Sequence, residues 1–448
     1  MTYLDRYGTF ADGSSSVTTL PSPPLEPPFH LPTSGPQDTA MTPAEDRRLR
    51  IALLTDVFLP QAGGSRFYYY NLFRRISEHD DVAVLTSRVP GWQAFDGREQ
   101  TPSFRILRRF SPLRDLSYSQ LPKLAGTMLR TLSLALTRRP DVLHCGDLYP
   151  PGLTGVLFKK LFGIPFVAYC HGEDVTLTDE RKYQPKVRNL IYKSADAVIA
   201  NGEFAIAKLL DLGLPKDKVF KITPGLDTSV FFPEPSDTLR KRYGLGNELV
   251  LLTVARVIPR KGHARIIRAI AALGSDVPPL KYIIGGKGAY EQVLRTLASE
   301  LGVEDKIIFA GFVSEAELNL HYNLADIMVM PNTEEKGDIE GFGMVFLEAN
   351  AAGKPVIGGR SGGTADAVEH GVSGYLVNSE DDRDLIEKLR SLLTDDQLRS
   401  TMGAAGLRRV QTEFSWEPRA AKLRQITANI AAAHGRGRQN LKYANTNK

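Results

Sequence analysis

From residue 49 onward, short and almost continuous apolar runs alternate with longer segments of helical period. The runs fall at 49–55, 82–86, 104–107, 141–144, 164–169, 195–200 and 218–222. Strand-length runs with so few polar breaks predict strands buried on both faces, as in a parallel sheet. Helices are predicted between them at 65–77, 121–139 and 151–162. The helix over 121–139 has apolar residues at 121, 124, 125, 128, 129, 132, 135 and 136, a stripe for packing on a sheet. The segment 223–233 holds Pro224 and Pro233 and has no period, so it reads as a connection. The alternation then restarts, with strands at 249–255, 280–285, 306–310, 327–330, 355–357 and 375–378 and a helix at 264–273. A polar amphipathic helix follows Trp416 to about residue 433, then a basic tail. Strand–helix alternation argues an α/β fold with parallel sheets, here twice over. The expected domains are 47–224 and 225–415, with 416–448 as a terminal helix and tail. Residues 1–46 are rich in Pro, Ser, Thr and Gly without any period, and are expected to be a disordered tail.

Composition narrows this picture only a little. The chain has 448 residues, too many for one ordinary core, which agrees with two domains. Its net charge of +5 fits anionic substrates or an anionic membrane surface. Two cysteines, Cys145 and Cys170, offer neither a disulfide framework nor a metal cluster. No apolar run is long enough to cross a membrane and no signal peptide is evident, so a cytoplasmic protein is expected.

The candidate chemistry sits at the ends of the predicted strands. Residues 56–64 form a loop with the pair Gly63-Gly64 before a helix, the phosphate-facing half of a nucleotide fold. No G-x-G-x-x-G is present. Cys170-His-Gly-Glu-Asp174 ends another strand, where open parallel sheets place their ligands. Arg256, Arg260 and Lys261 crowd a short loop after the strand at 249–255. The strongest pattern is Asp338-Ile-Glu-Gly-Phe-Gly-Met-Val-Phe-Leu-Glu348. Seven residues separate Glu340 from Glu348, Gly341 and Gly343 among them, and a helix is predicted from about Gly343. A helix N-terminus offers free amides and a positive dipole end, which suits a diphosphate. The literal D-x-D, Asp382-Arg-Asp384, reads as a helix start.

The Glu340–Glu348 pattern, continued by Ala351-Ala-Gly-Lys-Pro-Val-Ile-Gly-Gly-Arg-Ser-Gly-Gly-Thr364, resembles the E-x7-E signature of retaining glycosyltransferases of family 4. Among them it looks most like bacterial GDP-mannose-dependent mannosyltransferases. The resemblance covers roughly 49–430 and implies the GT-B fold, two Rossmann-like domains facing across a cleft, with Asp227 in the segment that crosses between them. It also implies roles. Arg256 and Lys261 would hold the donor diphosphate, and Glu340 the transferred sugar. Glu348 would bind the ribose, and His171 with Gly172 would line the ligand site at the end of their strand, with His171, Arg256, Lys261 and Glu340 as the catalytic set. Gly63 and Gly64 match the family's first glycine loop. Phe342, Gly343, Met344 and Val345 would turn backbone amides to the donor, and the main chain of Val313 would meet the base. The donor is expected to be GDP-mannose or a UDP-sugar, with no cofactor and no metal. The expected mechanism is front-face, with the leaving phosphate taking the acceptor's proton. A non-catalytic sugar-nucleotide-binding protein and a UDP-sugar epimerase are the competing readings. The intact Arg256, Lys261, Glu340 and Glu348 set weighs against the first. The second's usual catalytic carboxylates and histidine are not matched in order here, whereas E-x7-E is.

Three expectations concern partners and motion. The acceptor is a glycan or a lipid-linked molecule, and no nucleic-acid partner is expected. The cleft is expected to close on the donor. Residues 102–139 hold eight Arg or Lys against one acid, Asp115. Lys123, Thr127, Arg130 and Thr137 would lie opposite the apolar stripe, as a basic outer face for an anionic membrane.

Overall fold

The computed structural model describes residues 47–60, 63–110, 121–176 and 184–446. The tail at 1–46 lies outside the described residues, as does Asp115.

Two parallel sheets account for the apolar runs. The first comprises β1 (Arg50–Leu54), β2 (Asp81–Ser87), β3 (Phe104–Phe110), β4 (Val142–Cys145), β5 (Phe166–Cys170), β6 (Ala197–Ala200) and β7 (Val219–Lys221). Its order is β3-β2-β1-β4-β5-β6-β7. The second comprises β8 (Leu249–Val254), β9 (Leu280–Gly285), β10 (Ile307–Gly311), β11 (Ile327–Met330), β12 (Val356–Gly359) and β13 (Gly374–Val377), in the order β10-β9-β8-β11-β12-β13. The runs are apolar on both faces because both faces are covered. In β1, Ala52 and Leu54 pack toward helices 121–138, 153–162, 184–194 and 203–211, while Ile51 and Leu53 face helix Gly64–Ile76 and the C-terminal helix.

In each sheet the chain changes direction of growth at its first strand. β1 lies between β2 and β4, and β8 between β9 and β11. Such switch points leave a crevice at the C-terminal strand ends, where ligands bind in open α/β sheets. The loops after β1, β4 and β5 therefore gather on one lobe, and the loops after β8 and β11 on the other.

Helix Trp416–Thr446 returns to the first lobe. Arg419 donates to the carbonyls of Thr223 and Pro224, Arg424 pairs with Asp80 at 2.7 Å, and Leu423 is buried against the first sheet. The backbone stays helical to Thr446, beyond the end expected near 433.

The outer face expected of helix Leu121–Arg138 needs correcting. Thr127 and Thr131 are fully buried, while Leu129, assigned to the inner stripe, is 66% exposed. The Thr131 hydroxyl donates to the Thr127 carbonyl at 2.9 Å, a local bond that lets a polar residue pack inward. Arg108 is also internal. It pairs with Asp96 at 2.8 Å with both side chains almost fully buried, so it offers no surface charge.

Candidate active site

The segment leading to Glu340 leaves β11 and turns tightly, with Glu335 and Asp338 exchanging backbone bonds of 3.0 and 2.8 Å. Ile339 is buried, which fixes the side of the loop from which Glu340 emerges. Helix Met344–Ala351 begins directly after Gly343, whose φ of +88° is a left-handed value that favours glycine. A side chain at Gly341 would lie 2.5 Å from the His171 carbonyl oxygen, so only glycine permits that approach. The Phe346 amide bonds the Gly343 carbonyl at 3.0 Å, which leaves the amides of Met344 and Val345 at the helix start to meet an anion.

The loop after β8 brings its cations to the same place. Lys261 is buried and forms a short ion pair with the Glu340 carboxylate. Arg260, with 5% of its side chain exposed, reaches Glu340 at 3.3 Å and Asp338 at 2.8 Å. The structure thus settles which of the three basic neighbours turn inward at Glu340: Arg260 as well as Lys261. Arg256 is half-buried nearby, and its backbone carbonyl lies 3.3 Å from the ring of buried His263. Burial pulls Lys261 below the usual lysine range, and Arg260 and Arg256 add to that against the attraction of Glu340. Burial would raise Glu340, yet Lys261 and Arg260 outweigh it and hold the carboxyl below its usual range. Within this lobe Arg256, Arg260 and Lys261 face Asp338 and Glu340, a set of cations suited to a diphosphate, and Glu173 of the first lobe is also in reach of Arg260 and Arg256.

Glu348 lies on the second turn of the helix and is not part of that network. It accepts a 2.6 Å bond from the buried Tyr322 hydroxyl. Burial pushes its carboxyl up to about 7, with Tyr322 opposing. Val313 follows β10, its side chain closing on Gly285 at the end of β9.

The opposite wall belongs to the first lobe. His171 Nε2 is 2.6 Å from the Tyr69 hydroxyl. That hydroxyl has one proton and donates it to the Gly146 carbonyl, so Nε2 carries the ring proton and Nδ1 is left as the acceptor. Burial keeps the imidazole below its usual value despite Asp174. Gly172 packs against Ile339, and Gly64 faces the Met344 sulfur from across the cleft; Gly63 lies beside Arg66.

Several residues that the sequence alone does not single out join this wall. Asn201 donates at 3.2 Å to the carbonyls of both His171 and Gly341, tying the lobes together. Asp366 does the same farther out, accepting from the Glu203 amide at 2.8 Å and pairing with Lys221 at 3.0 Å. Asp147 accepts from the Asp56 amide at 2.6 Å and the Thr55 hydroxyl at 2.9 Å. Burial and then Asp56 push Asp147 up to about 7. Glu173 stands at the cleft, where the surrounding walls and then Asp174 and Asp338 push its carboxyl up to about 7, against Arg260 and Arg256. Asp382 starts helix Asp382–Thr394 and pairs with Arg265 at 2.6 Å, so the D-x-D is a helix start.

Comparison with known proteins agrees with this architecture. Residues 62–230 match the family model described as Glycosyltransferase Family 4, and 235–409 match Glycosyl transferases group 1. A GDP-mannose-dependent alpha-(1-6)-phosphatidylinositol monomannoside mannosyltransferase of Mycobacterium tuberculosis is 30% identical over 86% of this chain and 99% of its own length.

The chain belongs to glycosyltransferase family 4.

A D-inositol 3-phosphate glycosyltransferase of Thermobispora bispora is 29% identical over 82% of this chain and 89% of its own length. Among solved structures, Anabaena HepE in complex with UDP matches 85% of this chain and 100% of its own at 21% identity, with a TM-score of 0.71. Sucrose-phosphate synthase of Thermosynechococcus elongatus matches 86% of this chain at 23% identity, with a TM-score of 0.70. These likenesses show the GT-B fold. This family 4 glycosyltransferase is a hexosyltransferase that uses a nucleotide sugar. No described helix is long and apolar enough to cross a membrane.

Proposed function

We propose that the enzyme transfers mannose from GDP-mannose to a glycan or lipid-linked acceptor, with retention of configuration and without a metal. The observation that carries this reading is the convergence of Arg260, Lys261 and Glu340 beside the open N-terminus of helix Met344–Ala351. The relatives named as GDP-mannose-dependent mannosyltransferases support the choice of donor.

The diphosphate lies across the first-turn amides of that helix, with Arg256 and Lys261 on its oxygens. Glu340, released from part of its pairing, takes hydroxyls of the sugar. Glu348 accepts from the ribose hydroxyls. As the bond from the anomeric carbon to the phosphate oxygen breaks, negative charge grows on the diphosphate, and fixed cations stabilise it more than they stabilise the ground state. The acceptor oxygen bonds to the same face of the anomeric carbon, and its proton passes to the departing phosphate oxygen. His171 lines the acceptor side as a neutral imidazole.

Incubation with radiolabelled GDP-mannose, UDP-glucose and UDP-N-acetylglucosamine, without acceptor, tests the donor. Slow release of label from GDP-mannose above the others is expected, and preference for a UDP-sugar overturns that choice. For retention, an α-configured product is expected from the α-linked donor, and a β-configured product contradicts it.

A further inference from the structure

The helices on the outer side of the first sheet carry a charge pattern that donor chemistry does not explain. Helices Leu121–Arg138, Leu153–Phe162 and Gln184–Ser194 all pack their inner faces on the same side of that sheet. Together they contain eight Lys or Arg and no Asp or Glu. Two of those cations are used internally: Arg188 is buried and donates to the Val175 carbonyl, and Lys159 pairs with Asp196 at 2.8 Å. Arg130, Arg138, Lys160, Lys186 and Lys193 are exposed.

Large apolar side chains stand out among them. Leu129 is 66% exposed, Leu161 63%, Leu190 45% and Phe162 41%. On helix Gln184–Ser194, Lys186, Leu190 and Lys193 recur at the spacing of one helical face. On helix Leu153–Phe162, Lys160, Leu161 and Phe162 form the exposed C-terminal end. Lys159 donates to the Ser194 carbonyl at 2.8 Å, so the two exposed ends are neighbours. The pattern stops at helix Glu203–Asp211, which brings back exposed acids at both ends.

We propose that this face, centred on Lys160, Leu161, Phe162, Lys186, Leu190 and Lys193, docks on an anionic lipid bilayer. Lysines attract the negative surface, and leucine and phenylalanine then enter the headgroup boundary, where apolar burial adds to the electrostatic attraction. A nucleic acid would meet the cations yet find no use for four exposed aliphatic or aromatic side chains. The location differs from the one the sequence predicts: Arg108 is locked in a buried pair and Thr127 faces the sheet.

Vesicle co-sedimentation of the full chain tests the proposal independently of the donor, because docking needs no turnover. Wild type is expected to sediment with phosphatidylcholine vesicles containing phosphatidylglycerol, and far less with phosphatidylcholine alone. Lys160→Ser/Lys186→Ser/Lys193→Ser should weaken partitioning about a hundredfold at low salt. Leu161→Ser/Phe162→Ser/Leu190→Ser should keep the low-salt attraction and lose the part that survives high salt. All six side chains are exposed, so unchanged melting temperatures are expected for both variants. Binding of both variants equal to wild type overturns the proposal. So does absence of vesicle binding by wild type, or binding to a short DNA duplex with none to vesicles.

Discussion

The two lobes share one topology and treat charge in opposite ways. At the second lobe's cleft edge, opposite charges meet: Lys261 and Arg260 against Glu340 and Asp338. At the first lobe's cleft edge, carboxyls crowd together. Asp147 and Glu173 are both pushed to about 7, beside an imidazole held neutral. The outer surfaces differ too, since helices Glu291–Glu300 and Asp382–Thr394 of the second lobe mix acids with bases. An edge of cations held in place by paired carboxylates is preorganised for an anion of fixed shape. An edge of protonatable carboxyls is suited to hydroxyl groups, which both donate and accept. In the proposed reading, one sheet topology used twice serves a diphosphate in the second lobe and acceptor hydroxyls in the first.

The largest effect is expected from the second lobe. Arg260→Ala leaves Asp338 and Glu340 short of a buried partner, and breaking a buried pair costs roughly 3–5 kcal/mol. The melting temperature should fall, and turnover should fall with it. If Arg260→Ala left both unchanged, the paired edge would not be a structural unit.

A smaller effect is expected at Glu348. Hydrogen bonds to a charged group are worth about 1.5–3 kcal/mol, so Glu348→Gln should raise the donor KM about 10- to 100-fold. Because the carboxyl titrates near 7, the wild-type donor KM should fall as pH rises through neutrality, and the variant's should stay flat. Stability runs the other way. The folded pKa lies above the ordinary 4.5, so the folded state holds the extra proton and loses stability as pH rises from about 4.5 to 7. Glu348→Gln should therefore melt higher than wild type at mildly alkaline pH and no higher in acid. A pH-independent difference would remove burial as the cause.

The smallest effect concerns the contact between lobes. Asn201→Ala with Asp366→Ala removes hydrogen bonds of about 1 kcal/mol each and an ion pair. Small-angle scattering should show a larger radius of gyration for the variant without nucleotide, and contraction of the variant when GDP is added. Equal radii throughout would mean that these contacts do not hold the cleft together.

Much of this arrangement is legible in the amino-acid sequence, for physical reasons. Parallel strands covered on both faces leave long apolar runs, so β1, β4, β8 and β11 are visible there. Glu340 and Glu348 stand out because loop, glycine and helix follow one another within a single segment. Pairings between distant segments are what the sequence hides. Tyr322 meets Glu348 from a helix whose polar and apolar residues do not mark one face. Asn201 and Asp147 are single polar residues at strand ends, indistinguishable there from solvated loop residues. Arg108 has the look of surface charge in a basic strand, because its partner Asp96 lies on the short helix Trp92–Glu99, which has no period to betray it. Arg260 and Lys261 share a single tight turn, where direction is set by packing and not by spacing.

The cations that oppose the diphosphate carry the proposed chemistry, and turnover of Lys261→Ala at saturating GDP-mannose tests their role directly. Removing one charged contact to a developing charge costs roughly 2–4 kcal/mol, about 30- to 1000-fold in rate. A fall of that size in kcat is expected, with the variant still folded as judged by its circular dichroism. Wild-type kcat in the folded variant would contradict it.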